Sequence, residues 1–234
     1  MICYPKSNSN EIKKRISELN TLGITSIDFI GKNTAFNLPI LGKGFVGVVV
    51  RANINEKVVA VKILRVDASR KELQYEAKML QHANLVQVGP KFHNVSTNCL
   101  VMELIVGNLL PLWLKSNSNK SIIKKILKDI LNQCYRLDLL GLDHGELSKA
   151  TKHIIVNNEL KPFIVDFETA SINRSVSNVT SICQFLFLNY GEVGKIVRSF
   201  IGNHDRNKII NELRKYKTEK TKQNFKRVFQ TCFS

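Results

Sequence analysis

The segment Gly42-Lys43-Gly44-Phe45-Val46-Gly47 limits the fold more than any other stretch, because of the residues immediately downstream. A G-x-G-x-x-G that binds a dinucleotide must lead from a strand into a helix, so that the pyrophosphate rests on the helix N-terminus. Here the glycines run into Val48-Val49-Val50-Arg51-Ala52, a strand-like run, then a turn over Asn53 to Lys57 and a second run from Val58 to Leu64. The dinucleotide reading fails on that context. What remains is a glycine-rich β-hairpin, whose missing Cβ atoms let backbone N–H groups come close to phosphate oxygens.

Lys62, in Val59-Ala60-Val61-Lys62, shares a strand face with Val58 and Ala60, so its ammonium lies among apolar side chains and needs a counter-charge. Ser69-Arg70-Lys71-Glu72 has the form of a capping box and predicts a helix through about Gln81. On it Leu73, Glu76 and Leu80 share one buried stripe, where a carboxylate is costly unless paired, and Lys62 is the expected partner. Upstream, Ser9 predicts the cap of a helix to about Leu22, with Ile12, Ile16 and Leu19 on one face and Gly23 as its stop. Ile24 to Ile30 is a strand candidate, while Pro39 argues against a central strand over Leu38 to Leu41.

Further on, an apolar strand from Cys99 to Val106 ends at Gly107. It reads as a hinge whose backbone groups take a base edge, or as a plain buried strand; periodicity does not separate the two. After a polar linker, Ser121 predicts the cap of a long helix with Ile123, Ile126, Leu127, Ile130, Cys134 and Leu137 on one face, stopped by Gly141. Then come two polar clusters, His144-Gly145-Glu146 and Asp166-Phe167-Glu168, at the ends of a hairpin of His153 to Val156 and Phe163 to Val165 that turns at Asn157-Asn158. Such a hairpin brings a carboxylate of its leading loop toward one at its trailing end. Phosphoryl transfer uses that pair, one acid orienting the attacking hydroxyl and the other holding a metal on the nucleotide phosphates. Helices are expected from Val179 to about Asn189 and Glu192 to Ile201, with a basic pair after them from His204 to Phe233.

Composition narrows the class without choosing a partner. The 234 residues, 44% hydrophobic, can fill one large domain or two small lobes. Lys+Arg 35 against Asp+Glu 19 gives +16, a potential attractive to nucleotides, RNA, anionic membranes or acidic proteins. From His204 onward nine Lys/Arg stand against three acids, a basic helix pair that either docks RNA or an acidic protein or is simply solvated. Five scattered cysteines without a C-x-x-C indicate neither a disulfide framework nor a zinc site, and a reducing, cytoplasmic setting is expected. The N-terminus lacks an h-region, and Cys99 to Leu114 is short and broken by Glu103, Gly107, Asn108 and Pro111, so neither signal peptide nor membrane span is expected.

The ordered set Gly42-x-Gly44-x-x-Gly47-x-Val49, Val59-Ala60-Val61-Lys62, helical Glu76, hinge strand, long helix, His144-x-Glu146 and Asp166-Phe167-Glu168 resembles the protein-kinase superfamily over roughly residues 40 to 190. The short His-Gly-Glu loop and the lack of an Ala-Pro-Glu segment resemble the atypical RIO-like group and the small predicted serine/threonine kinases of archaea. This resemblance implies an α+β, two-lobed protein-kinase-like fold, with a small β-rich N-lobe over 1–107 and a reduced helical C-lobe over 108–234. It also implies ATP with Mg²⁺ or Mn²⁺, and a protein or small-molecule phosphoacceptor. Gly42, Lys43, Gly44, Phe45, Gly47 and Val49 would cover the triphosphate, and Ala60, Met102, Glu103 and Ile105 would line the nucleotide. Lys62 would hold the α/β-phosphates and Glu76 would fix Lys62. Asp166 would bind the metal, and Glu146 would stand where kinases place the Asp that accepts the substrate hydroxyl.

Two departures from the family pattern bear on mechanism. Five residues after Glu146, where a metal-binding Asn is expected, stands Thr151; a loop longer by two residues gives that place to His153, a nitrogen donor where Mg²⁺ prefers oxygen. Glu168 replaces the Gly of Asp-Phe-Gly, which reduces backbone freedom and adds a carboxylate. Asp-Phe-Glu also occurs in choline-kinase-like enzymes, so a small-molecule kinase, choline- or aminoglycoside-kinase-like, is the alternative. A weakly active ATP-binding interaction protein is the third reading.

Overall fold

The chain falls into two units, Met1–Gln81 with Pro90–Ile105 and His82–Gly89 with Val106–Ser234. The computed structural model describes residues 1–6, 8–202 and 205–233. The first unit opens on α1 (Ser9–Thr21), capped by Asn8 rather than Ser9, since the Asn8 side chain accepts from the Asn10 N–H at 2.9 Å. Its buried side is Arg15 and Leu19, and Ile16 is 46% exposed, so the expected Ile12-Ile16-Leu19 face is rotated. Burying Arg15 is tolerable because its guanidinium donates to the Ile2 and Leu64 carbonyls and pairs with Glu11 at 2.7 Å.

Next along the chain are strands β1 (Ser26–Asp28), β2 (Asn33–Ala35), β3 (Leu38–Ile40), β4 (Gly42–Lys43), β5 (Gly47–Ile54) and β6 (Lys57–Leu64), then α2 (Gln74–Leu85), β7 (Phe92–Val95) and β8 (Cys99–Glu103). Among the described residues, one sheet runs β1-β5-β6-β8-β7 with β4 on β5, every neighbour antiparallel. Pro39 sits in the separate β2-β3 hairpin, where its missing N–H interrupts no central ladder. Alternation along β6 sends Val59, Val61 and Ile63 into a core with Leu19, Leu22 and Ile40, and Leu64 into another with Leu73, Ala77 and Leu100.

The capping box at Ser69 to Glu72 does not start α2, which begins at Gln74. Leu73 is 1% exposed, its N–H donates to the Thr97 carbonyl at 3.1 Å, and its own carbonyl accepts from Ala77 at 3.0 Å. Burial of Leu73 in the core fixes the helix origin, and the local signal four residues upstream yields to it.

Glu18, on α1, fastens the β7-β8 turn by accepting from Ser96 Oγ at 2.6 Å, Asn98 N–H at 2.9 Å and Asn98 Nδ2 at 2.7 Å. Burial raises its pKa, but these hydrogen bonds outweigh burial, and the net shift is downward from 4.5. A lowered folded-state value means stability that is present above the unfolded pKa and is lost as pH falls through the folded one. Glu18→Gln is therefore expected to be less stable than the parent at about pH 7, with the gap narrowing as the pH falls below 4.5, as read by urea unfolding across that range. A gap independent of pH contradicts this.

The second unit contains β9 (Gly107–Leu109), α3 (Leu110–Ser116), α4 (Lys120–Leu140), β10 (Ile154–Asn157), β11 (Pro162–Ile164), α5 (Asn178–Cys183), α6 (Glu192–Ile201), α7 (Arg206–Thr218) and α8 (Lys222–Phe233). Helix α3, with Pro111 in its first turn, is not expected from periodicity because it is short and mostly apolar. Asn119, not Ser121, caps α4, accepting from the Ser121 and Ile122 N–H groups. The six apolar positions expected on its inner face are all buried, and Gly141, at φ 79°, ends it.

Strands β9, β10 and β11 form a small antiparallel sheet in the order β11-β10-β9. The β10-β11 turn does not use a left-handed Asn pair: Leu160 takes φ 61°, and Asn157 Oδ1 accepts from the Glu159 and Lys161 N–H groups. The helix expected from Val179 to Asn189 splits into α5 and a π-helical turn over Gln184–Leu188. In the basic pair, α7 and α8 bury Ile209, Leu213 and Tyr216 with Phe225 and Val228; His204 lies outside the described residues. The α+β class, β-rich first and helical after, is as expected. Among the described residues no helix is long and apolar enough to cross a membrane.

Candidate active site

In the first unit the glycine-rich segment is a hairpin. Gly42 pairs with Val49 and Lys43 with Val48, and the Gly44 N–H closes the tip on the Gly47 carbonyl at 2.8 Å. Phe45 at the tip is 92% exposed, while Arg65 holds the rear of the loop by donating to the Gly44 carbonyl at 3.0 Å. A Cβ on Gly47 would lie 3.0 Å from Lys62 Cγ and 3.0 Å from the Ile63 carbonyl oxygen, so glycine there lets the lysine stem pass.

Lys62 lies opposite Val49 on β5 and Leu100 on β8, with Ala60 on its own face. Its Nζ stands 2.9 Å from Glu76 Oε1 and 2.8 Å from Oε2, both side chains almost fully buried. A fixed ammonium with a balanced charge, beside a loop of backbone amides, suits an anionic phosphate chain. Strand β8 places Met102 opposite Ala60 and Glu103 opposite Val59, and the chain leaves the sheet after Glu103, before Ile105. Glu103 is tied locally: its N–H donates to the Lys91 carbonyl, and its Oε2 accepts the Lys91 N–H at 3.0 Å.

In the second unit the loop after α4 is braced from several sides. Asp143 and Ser171 exchange both backbone hydrogen bonds, at 2.9 and 2.8 Å. His144 is buried with Nε2 3.1 Å from the Val165 carbonyl and its ring edge-on to Phe167. Burial above all pushes His144 down from 6.5 to about 4, so the ring is neutral near pH 7 and its Nε2–H is the donor to Val165. Gly145 takes φ 93°, and a Cβ there would lie 2.5 Å from Arg174 Nη2, so this turn requires glycine.

Glu146 comes directly after that turn, and a 3₁₀ turn over Leu147–Lys149 carries the chain to His153 at the head of β10. His153 Nε2 stands 2.9 Å from Glu146 Oε2 and 3.9 Å from Asp166 Oδ2. Asp166 lies just past β11 in the left-handed region, at φ 71°, an uncommon conformation for a residue other than glycine, Asn or Asp. One donor atom from each of Glu146, His153 and Asp166 falls within 4.8 Å of the others. Two carboxylates and an imidazole fit a divalent cation, the carboxylates supplying charge and the ring a borderline donor. Thr151, at the expected Asn position, is exposed.

Several residues that position this loop are missed at the sequence level. Asn178, at the start of α5, accepts the His144 N–H at 2.8 Å and donates from Nδ2 to Asp138 Oδ1 and the Leu142 carbonyl. Asp138 also accepts from Tyr216 OH on α7 at 2.9 Å. Burial pushes the Asp138 carboxyl up, against the lowering effect of the four donors that reach it. Asp143 accepts from Ser177 N–H and Oγ and from Arg174 Nε at 2.6 Å. Asp138 does carry a signal, since it adjoins Leu137 on the inner face of α4, where an acid needs partners, much as Glu76 does on α2.

The two groups of side chains, a buried Lys–Glu pair beside a glycine hairpin and an acid–imidazole–acid group, agree in kind with what comparison by sequence finds. The model of the family described as protein tyrosine and serine/threonine kinase matches residues 37–179, a span that includes both groups. An uncharacterized protein of Methanocaldococcus jannaschii is 32% identical over 118 residues, covering 50% of this chain and 98% of its own length. Since the family match takes in well over half of the 234 residues, this chain belongs to the protein tyrosine and serine/threonine kinase family, whose members transfer phosphoryl groups from ATP with the help of a divalent metal.

Proposed function

We propose that the chain is a serine/threonine protein kinase of the atypical, RIO-like archaeal type. The observation that carries the site assignment is the buried Lys62–Glu76 pair, with Nζ–O distances of 2.8 and 2.9 Å, beside a loop whose Gly47 makes room for the lysine stem. Burying such a pair is expensive for stability, and a phosphate-binding role accounts for its retention.

In this reading Lys62 binds the α/β-phosphates, and the hairpin from Gly42 to Gly47 covers the triphosphate with backbone N–H groups. Met102, Glu103 and Ile105, at and just past the end of β8, line the base. Asp166 and His153 would hold the divalent cation, Mg²⁺ or Mn²⁺, which would supply charge neutralisation at the phosphates. Glu146 takes the proton from a Ser or Thr hydroxyl as its oxygen bonds to the γ-phosphorus and the bond to the β–γ bridging oxygen breaks, releasing ADP. Phe167 packs against neutral His144 and so fixes the backbone on both sides of the acids.

Labelled ATP, with acid hydrolysis of the product, tests the acceptor class. Label in phosphoserine or phosphothreonine, on the chain itself or on a generic protein, is the expected result; label in phosphotyrosine overturns the assignment. One observation favours a second reading. Only ten residues, 168 to 177, separate Phe167 from α5 at Asn178, a short segment for docking a peptide, and a small-molecule acceptor fits it. ATP consumption stimulated by a metabolite and not by protein supports that alternative. The basic faces of α7 and α8 suit RNA or an acidic protein as a partner, and steep salt dependence of RNA binding is the corresponding check.

A further inference from the structure

We propose that Glu146, His153 and Asp166 together form a three-donor cation site that selects Mn²⁺ over Mg²⁺ and fills without nucleotide. This rests on the proposed kinase function, in which Asp166 and His153 already face the metal, and adds Glu146 as a ligand through Oε2.

The spacing of the donor atoms is that of a cation's coordination sphere. Adjacent ligands around an octahedral ion with bonds of about 2.1 Å lie about 3.0 Å apart, and opposite ones about 4.2 Å. His153 Nε2 and Glu146 Oε2, 2.9 Å apart, match an adjacent pair, and His153 Nε2 to Asp166 Oδ2 at 3.9 Å falls between the two spacings. A side-chain displacement of about 1 Å at Asp166 would bring its Oδ2 to the adjacent-ligand spacing from His153 Nε2. The other ring nitrogen of His153, Nδ1, is buried, so Nε2 is the atom presented to the two acids. The His153 carbonyl accepts from the Val165 N–H at 2.9 Å and ties the two ends of the β10-β11 hairpin together, and its ring packs edge-on against His144 with centroids 5.6 Å apart.

The choice of ion comes from the donor set. Mg²⁺ binds oxygen almost exclusively and keeps most of its water, so an imposed imidazole is a penalty. Mn²⁺ has the same charge and coordination preference, accepts carboxylate readily and tolerates imidazole. A site of two carboxylates and one imidazole is therefore biased toward Mn²⁺. Glu146 keeps its second oxygen for the acceptor hydroxyl, so the same side chain positions the acceptor relative to the metal.

The test uses the whole chain with Mn²⁺ or Mg²⁺ alone and no nucleotide. Titration monitored by electron paramagnetic resonance should show one tight Mn²⁺, displaced by Mg²⁺ only at about tenfold or greater excess. Pulsed measurements should show the modulation of a directly bound imidazole nitrogen. His153→Asn, a substitution at a partly exposed position, should abolish that modulation and bring the Mn²⁺:Mg²⁺ preference toward unity, while Glu146→Gln should weaken Mn²⁺ binding with the nitrogen signal retained. Equal affinity for the two ions in the parent chain, or an unchanged preference in His153→Asn with its melting temperature preserved, overturns the inference. The kinase reading fails differently: selective Mn²⁺ binding with no phosphoryl transfer from ATP leaves the site standing and removes the activity, whereas transfer with no ion preference does the reverse.

Discussion

Asp166→Asn is expected to lower phosphoryl transfer by about 10³-fold, the loss that accompanies removal of a charged group acting directly on the transferring phosphate. Asn is the informative substitution because Asp166 occupies the left-handed region at φ 71°, which Asn tolerates nearly as well as Asp. The backbone at the start of Asp166-Phe167-Glu168 is thereby kept, Phe167 stays packed on His144, and only the charge is removed. Asp166→Ala mixes the lost charge with backbone strain and is harder to interpret. Initial rates with labelled ATP, alongside thermal unfolding, measure the effect. A variant that folds normally and retains more than about a tenth of the parental rate contradicts the assigned role.

Glu76→Ala is the substitution with the largest expected effect on stability. It removes the carboxylate that stands 2.8 Å from the nearly fully buried Lys62 ammonium, and breaking a buried pair of this kind costs about 3–5 kcal/mol. Replacing both residues, with Lys62→Met and Glu76→Leu, exchanges two desolvated charges for apolar groups of similar volume. Its expected cost is near zero, or a gain of about 1–4 kcal/mol. Denaturant unfolding of the single and double variants separates the two cases. If the double variant is as unstable as Glu76→Ala, the pair is held for stability after all, and phosphate binding no longer accounts for its retention.

That pair is also the most legible part of the site. Leu73, Glu76 and Leu80 share a helical stripe, Lys62 shares a strand face with Ala60, and a charge on either surface needs the other; the structure brings the two together within hydrogen-bonding distance. The β5-β6 hairpin that follows the glycines can be read for a similar reason, because β-branched runs on both sides of Asn55 and Glu56 allow little else. The inner face of α4 comes from its 3.6-residue period.

Local capping signals are less reliable. Ser69 to Glu72 satisfies the pattern of a capping box, yet the burial of Leu73 decides where α2 begins. Asn119 outcompetes Ser121 at α4, and Asn157 acts through its side chain where a left-handed Asn pair is expected. The bracing of the loop after α4 is not legible at all, because it joins Asp138 to Asn178 and to Tyr216, 40 and 78 residues further along the chain. Periodicity shows that Asp138 faces inward, but it does not show which distant donors meet it there.

In the proposed function, Lys62 and Asp166 are the residues on which movement of the γ-phosphoryl group of ATP depends. The most direct test of that dependence is a single-turnover assay with γ-labelled ATP and Mn²⁺, comparing the parent chain with Lys62→Met and Asp166→Asn. The expected result is label transferred to protein by the parent and transfer reduced to background by both variants. Label appearing in both variants at the parental rate contradicts it.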